Sequence, residues 1–225
     1  MNPTTAAESK HEARPESRHE SRHESKTRLL QAALHVIRAK GYSATRIEDI
    51  CEAAGLTKGS FFHHFESKEA LALAAADYWT EMTGGVFASA PYRCHADPLD
   101  RLLAYVDFRK YLLHGDLPDY TCLVGTMVQE IYDTHPHLRE ACNRSISCHA
   151  ETLIPDIEEA IRQRGMHPNW TAESLALYTQ ATIQGAFILA KARHGVEIAA
   201  QSIDHLHRYI ELLFNQPRSQ SRFPH

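Results

Sequence analysis

The sequence predicts an all-α protein, with a small three-helix head carrying a helix-turn-helix followed by a larger helical bundle, about nine helices in all. Three observations carry that prediction. Apolar residues recur at intervals of three and four from Leu29 to Phe214, the period of an amphipathic helix, and no strand-like alternation competes with it. Glycines and prolines such as Gly41, Gly55, Pro98, Pro136 and Gly195 stand where the periodic runs break, as helix stops and starts do. Two short apolar runs inside Thr45–Phe65 flank one tight turn, and neither is long enough to hold its shape without neighbours.

In chain order, residues 1–25 come first and read as a disordered tail. Glu8, Glu12, Glu16, Glu20 and Glu24 recur every fourth residue, as do Lys10, Arg14, Arg18 and Arg22. On a helix that spacing stacks like charges, Pro15 interrupts the run, and nothing large and apolar after Met1 is available to bury. A basic arm for a minor groove is the functional alternative, and the interleaved glutamates argue against it.

The first helix is expected over Lys26–Lys40, with Leu29, Leu30, Ala33, Leu34 and Ile37 inside, Gly41 at its end and Tyr42 packed under the turn. Thr45 and Glu48 have the spacing of a capping box. Ile47, Ile50, Cys51 and Ala54 form the stripe of the next helix, which Gly55 ends because it lacks a Cβ to clash in the left-handed region. Thr57 caps a third helix that turns Phe61 and Phe65 inward.

Ser67 caps a connecting helix, Lys68 to about Phe87. Further helices are expected over Pro98–His114 (core candidates Leu102, Leu103, Tyr105, Val106 and Leu112) and Cys122–Tyr132. Another runs over Pro136–Gly165, where Pro155 should bend or break it. Two long helices, Thr171–His194 and Val196–Phe214, meet at Gly195, and residues 216–225 form a flexible tail. The implied domains are residues 26–70 and 71–215.

Composition narrows the function. The 225 residues carry a net charge of −4, unusual for a nucleic-acid binder taken whole. Between Lys26 and Glu69, however, seven Lys and Arg face five Asp and Glu, with three histidines besides. One head should therefore bind a polyanion weakly and in a salt-dependent way, with dimerisation supplying the rest. No apolar run reaches the roughly 20 residues of a membrane span, no signal peptide opens the chain, and five cysteines without a C-x-x-C fit reduced thiols. A cytoplasmic protein is expected.

The third helix turns Thr57, Lys58, Ser60, His63 and His64 outward, with Lys68 just beyond. Hydroxyls, cations and imidazoles can all donate to phosphates or base edges, and a helix-turn-helix lays its second helix in the major groove. A plain αα-hairpin with a solvated face is the bland alternative.

Thr45-Arg-Ile-Glu-Asp-Ile, Ala54-Gly-Leu-Thr-Lys-Gly-Ser-Phe-Phe-His-His-Phe and Ser67-Lys-Glu-Ala-Leu together resemble the DNA-binding signature of TetR-family repressors over residues 28–75. Cys51 stands where that signature has a small Ala, and Phe62 where a Tyr hydroxyl commonly touches a phosphate, which should slightly weaken affinity without altering sequence choice. The resemblance implies a homodimeric, ligand-responsive regulator on a near-palindromic DNA operator. Lys58 and Ser60 are assigned to base edges and Thr45, Arg46, His63, His64 and Lys68 to phosphates, with Thr57, Gly59 and Phe62 on the same surface.

In such proteins the last two helices form the dimer seam, here Thr171–His194 and Val196–Phe214. Ala181, Gly185, Ala186 and Ala190 would permit close approach, with Ile203, Leu206, Ile210 and Leu213 at matching period. The body should hold a largely apolar small-molecule effector, with Trp79, Thr83, Phe108, Leu112, Cys122, Thr126, Met127, His149, Thr152, Tyr178 and Thr182 as candidate contacts.

Tyr120-Thr-Cys-Leu-Val-Gly further resembles a subgroup in which some members sense electrophiles or oxidants through the cysteine. That makes a Cys122 thiol switch the alternative reading, with Thr121 where the subgroup has Gly. His135, His137, Cys142, Cys148 and His149 lack compact metal-ligand spacing, so no metal or cofactor is expected. No nucleophile elbow, phosphate loop or paired-carboxylate motif suggests an enzyme, and a helical protein-interaction module is the remaining class.

Overall fold

The structure, a computed structural model, describes residues 15–215, and these are helical throughout. In chain order they form α1 (Pro15–Lys40), α2 (Ile47–Ala54), α3 (Lys58–His64), α4 (Lys68–Ala88), a 3-10 turn at Pro91–Cys94, α5 (Pro98–Tyr111) and α6 (Leu117–Tyr120). Then come α7 (Leu123–Ile131), α8 (Pro136–Glu151), α9 (Ile154–Gln163), α10 (Ala172–Arg193) and α11 (Glu197–Asn215). The 3-10 turn and the one-turn α6 were not expected. The expected helix over Pro136–Gly165 is two, α9 opening with Pro155 in its first turn, where a missing N–H costs nothing.

α1 is the spine of the head. It packs on α2 and α3, and also on α4, α6 and α7 of the body. Leu29, Ala33, Ile37, Ile50, Phe61 and Leu71 are completely buried where these helices meet, and each large apolar side chain so buried contributes roughly 1.5–3 kcal/mol. Gly55 ends α2 at φ +61°, and the following Leu56 N–H returns to Cys51 O, a stop that a Cβ would strain.

Two expectations are corrected here. Residues 15–25 are helical, continuing α1 eleven residues ahead of Lys26. Adding turns to a helix already nucleated and packed is cheap, and the Ser25 hydroxyl lies 2.7 Å from His64 Nε2, tying the extension to α3. Residues 1–14, and with them the rest of the expected tail, lie outside the described residues, as do 216–225. The cap of α2 is also shifted by one residue. The Arg46 N–H donates to Asp49 (2.9 Å), while the buried Thr45 hydroxyl donates to Gly41 O (2.6 Å).

In the body, α10 packs on α11, α11 on α5, α5 on α9, and α8 on α4, α7 and α10. Ala186, Ala190, Ile203, Leu206 and Ile210, expected at a dimer seam, are buried inside the subunit, because α10 and α11 use those faces on each other and on α5. A different apolar stripe remains outside: Leu177, Tyr178, Ile188 and Leu189 of α10 with Tyr209 and Leu212 of α11. Tyr178 and Tyr209 pack together there, ring centroids 5.0 Å apart. His194, rather than Gly195, takes the left-handed cap between the two helices (φ +51°). No helix among the described residues is long and apolar enough to cross a membrane.

Candidate nucleic-acid interface and effector cavity

The outer face of the head is set by α3. Phe61 and Phe65 anchor it in the core, their rings 5.9 Å apart, and the Thr57 hydroxyl caps it by accepting from Ser60 N–H (3.2 Å). Thr57, Lys58, Gly59, Phe62 and His63 are thereby exposed, with Ser60 half-buried beside them. Phe62 is 55% exposed, a large apolar ring on an otherwise polar surface. Lys58 forms an ion pair with Glu48 of α2. Arg46 points outward, 3.7 Å from Asp49.

Three residues expected on phosphates are otherwise engaged. The Thr45 hydroxyl is inside the head, as described. Lys68 turns back beneath the α1–α2 turn, where its ammonium donates to Tyr42 O and Thr45 O (both 3.0 Å) and sits 4.4 Å from the centre of the Tyr42 ring. Ser43 O lies 3.5 Å away, so the ammonium is occupied by backbone carbonyls and a ring face. His64 is half-buried against Ser25 of α1, and burial, followed by the neighbouring His63, Arg22 and Lys26 charges, pulls its pKa below the ordinary value.

Head and body are joined by polar contacts that sequence reasoning missed. Glu130, near the end of α7, accepts from Tyr42 N–H (3.1 Å) and Ser43 N–H (2.8 Å) in the turn after α1. Gly41, at φ +86°, precedes them, and a Cβ there would run into the Glu130 carboxylate. Arg38 of α1 donates to Asp119 O (3.1 Å) and Thr121 O (3.3 Å) and lies 5.0 Å from the centre of the Trp79 ring.

Beneath this junction lies a cavity of about 250 Å³ walled by α1, α4, α5, α6, α7, α8 and α10. Five of the expected effector contacts line it: Trp79, Thr83, Leu112, Cys122 and His149. The other six are elsewhere. Met127 is completely buried in the core, and Phe108 packs edge-on against Phe87. Thr126 pairs with Lys191 (2.7 Å), Thr152 bonds to His149 O (2.7 Å), and Tyr178 and Thr182 lie on the outward stripe of α10. A one-sided helical period predicts which residues point inward but not which of them border a void.

The cavity wall also contains polar groups the sequence did not announce. Gln180 Nε2 donates to Tyr105 Oη (2.9 Å), and Arg109 Nη1 lies 3.4 Å from the same oxygen and 3.3 Å from His149 Nε2. With Oη accepting from both, its proton goes to His149 Nε2, 3.0 Å away. The imidazole is thereby held neutral as the Nδ1–H tautomer. Burial, then the Arg109 and Arg93 charges, lowers the His149 pKa to about 3. Arg109 is flanked by aromatic rings, its Cζ 5.2 Å from the centre of Phe87 and 5.8 Å from that of Phe187.

Cys122 caps α7, its Sγ accepting from Gly125 N–H (3.4 Å) at the cavity wall. Cys142 is buried, and desolvation raises its pKa to about 12. Cys94 and Cys148 are exposed. Among the described residues no three His, Cys, Asp or Glu side chains converge as a metal site.

The head and the body each match a known domain. The profile described as "Bacterial regulatory proteins, tetR family" matches residues 29–75, and "Tetracyclin repressor-like, C-terminal domain" matches residues 98–206. A TetR transcriptional regulator from Chloroflexus aurantiacus J-10-FL, solved as a crystal structure, is similar at a TM-score of 0.74 and 32% identity, over 85% of this chain and 96% of that one. The HTH-type transcriptional repressor DhaR of Mycobacterium sp. (strain GP1) is 25% identical over 169 residues, 75% of this chain and 83% of that one. YerO of Bacillus subtilis (strain 168), an HTH-type transcriptional regulator, is 40% identical over 58 residues, 26% of this chain but 20% of its own length. With both domains matched and a solved relative aligned along nearly its whole length, the chain belongs to the TetR family of helix-turn-helix transcriptional regulators.

Proposed function

We propose that the protein is a homodimeric repressor that releases a near-palindromic operator when a small, largely apolar molecule fills the cavity. Residues 26–70 serve as the DNA-binding part and 71–215 as the effector-binding and dimerisation part. Two α3 helices would enter successive major grooves about 34–36 Å apart, with Lys58 and Ser60 at base edges and Arg46, Thr57 and His63 on phosphates. A cytoplasmic location goes with that task.

The observation that carries the reading is the continuity between cavity and head. α7 starts in the cavity wall, at its cap Cys122 and at Val124, and near its other end carries Glu130, which holds the Tyr42–Ser43 backbone. A rigid helix of eight residues spans about 12 Å, so a ligand that moves one end moves the other. Arg38 of α1 borders the same cavity. The effector acts through its differential affinity for the two head spacings, typically about 1–3 kcal/mol of coupling. The exposed stripe Leu177, Ile188, Leu189, Tyr209 and Leu212 supports a two-fold seam on that side of α10 and α11.

The test is fluorescence anisotropy on DNA upstream of the protein's own gene. Tight binding at moderate salt that Lys58→Ala abolishes supports the reading, and equal affinity for scrambled DNA sinks it. The rival thiol-switch reading has the cavity-side position of Cys122 in its favour. Against it, Cys122 is buried while Cys94 and Cys148 are exposed and meet a reagent first.

A further inference from the structure

We infer that the effector is an amphipathic carboxylic acid, a single ring or short chain whose carboxylate is held by Arg109. The inference rests on the ligand-responsive reading above and names the class of ligand.

Arg109 is the cavity's uncommitted cation. Among the described residues no carboxylate comes within 4.0 Å of it. The one carboxylate in the wall, Asp119, caps its own helix by accepting from Asp116 N–H (2.8 Å) and is coupled to Arg38. Arg38, the other cation in the wall, donates through Nε to Leu34 O and through Nη1 to Asp119 O and Thr121 O, and the Asp119 charge beside it offsets its own. Arg109 uses only Nη1 on protein groups, toward Tyr105 Oη and His149 Nε2. Its Nε and Nη2 donors, the edge that meets a carboxylate in two parallel hydrogen bonds, have no partner among the described residues.

The surroundings select both charge and shape. Phe87 and Phe187 flank the guanidinium, so an anion reaching it leaves water and gains more from the pairing than it would on the surface. A single guanidinium balances one negative charge, which favours a carboxylate over a phosphate dianion. Away from Arg109 the wall offers Trp79, Met82, Val86, Leu112, Val124 and Ile146 to hydrocarbon, with Thr83, Ser145 and Gln184 as polar groups among them. An engineered apolar cavity of about 150 Å³ in another protein accepts benzene. The 250 Å³ here accommodates a ring or short chain with its acid group.

The experiment titrates the full-length protein with octanoate, 3-phenylpropanoate and 4-ethylbenzoate, each beside its primary amide, by isothermal calorimetry at neutral pH. Operator affinity is measured separately by anisotropy. At least one acid should bind about 10–100-fold tighter than its amide. Arg109→Gln should erase that preference while leaving the amide's affinity in place. Arg109→Lys, which keeps the charge but not the fork, should retain a reduced preference. The proposal is overturned if amides bind as tightly as acids, if Arg109→Gln keeps the preference, or if none of the three acids binds at millimolar concentration. An acid that binds without changing operator affinity upholds the Arg109 site and removes the ligand-responsive reading. An amide that releases DNA as well as its acid does the reverse.

Discussion

Replacing Glu130 by alanine should uncouple the cavity from the head while leaving both folded. The substitution deletes two hydrogen bonds from a carboxylate to backbone N–H groups, 3.1 Å to Tyr42 and 2.8 Å to Ser43. A hydrogen bond to a charged group contributes about 1.5–3 kcal/mol. Glu130 and Ser43 are both exposed, so water replaces much of what is lost and the net cost should be about 1–2 kcal/mol, a Tm decrease of about 2–8 °C for a chain of this size. The larger consequence is functional. If α7 transmits through this carboxylate, the change in operator Kd on adding a cavity ligand should fall from the range typical of allosteric coupling, about 5–150-fold, to a factor near one. Anisotropy titrations with and without a ligand found by thermal shift measure this directly. Glu130→Gln keeps an acceptor and should be intermediate. Gly41→Ala should copy Glu130→Ala from the other side, since its Cβ would displace the carboxylate and its φ is +86°. A wild-type fold-change in Glu130→Ala, with the expected loss of Tm, would refute α7 as the transmitting element.

The cavity histidine makes stability depend on pH with a definite sign. The His149 pKa is lowered to about 3, so between that value and the ordinary 6.5 the unfolded chain binds a proton the folded chain does not. Its contribution is complete above pH 6.5 and is lost as pH falls, about 2 kcal/mol by pH 5. Urea melts should show a shallower decline between pH 7 and 5 for His149→Gln than for the wild type. In the head, Phe62→Tyr should tighten binding to operator and scrambled DNA alike, a few-fold on competition titration, because a phosphate contact carries no sequence information. Glu48→Gln frees Lys58 from its ion pair and should tighten operator binding most at low salt; an unchanged Kd across a salt series would mean that Lys58 does not meet the DNA. Leu212→Glu, on the exposed stripe, should give monomers by light scattering and weaken operator binding. For the thiol reading, an electrophile that releases Cys122→Ser from DNA as readily as wild type shows that Cys122 is not the sensor.

How much was legible depended on how local the cause was. The α3 surface could be read because Phe61 and Phe65, four apart, fix which side faces the core, and the cap and turn residues lie within a few positions of each other. Lys68 and Thr45 misled because their partners, Tyr42 O and Gly41 O, are backbone atoms brought near by folding and leave no mark in the side-chain pattern. Of the α10 residues expected at a seam, Ala186 and Ala190 are buried inside the subunit, while Ala181 is exposed and Gly185 half-buried. Ala186 and Leu177 are both compatible with a buried face, and the packing of α10 on α8, α9 and α11 covers the first and leaves the second outside.

By itself the sequence determined the fold class, the helix punctuation, the family and the exposed surface of α3, because helical period and capping act over three or four residues. Only the tertiary structure decided that Glu130 grips the head and that Arg109, His149 and Gln180 of one cavity wall meet on the buried Tyr105 hydroxyl behind it. Those residues are separated by up to 75 positions along the chain, and their chemistry is set by the desolvation and charge they share once they have been brought together.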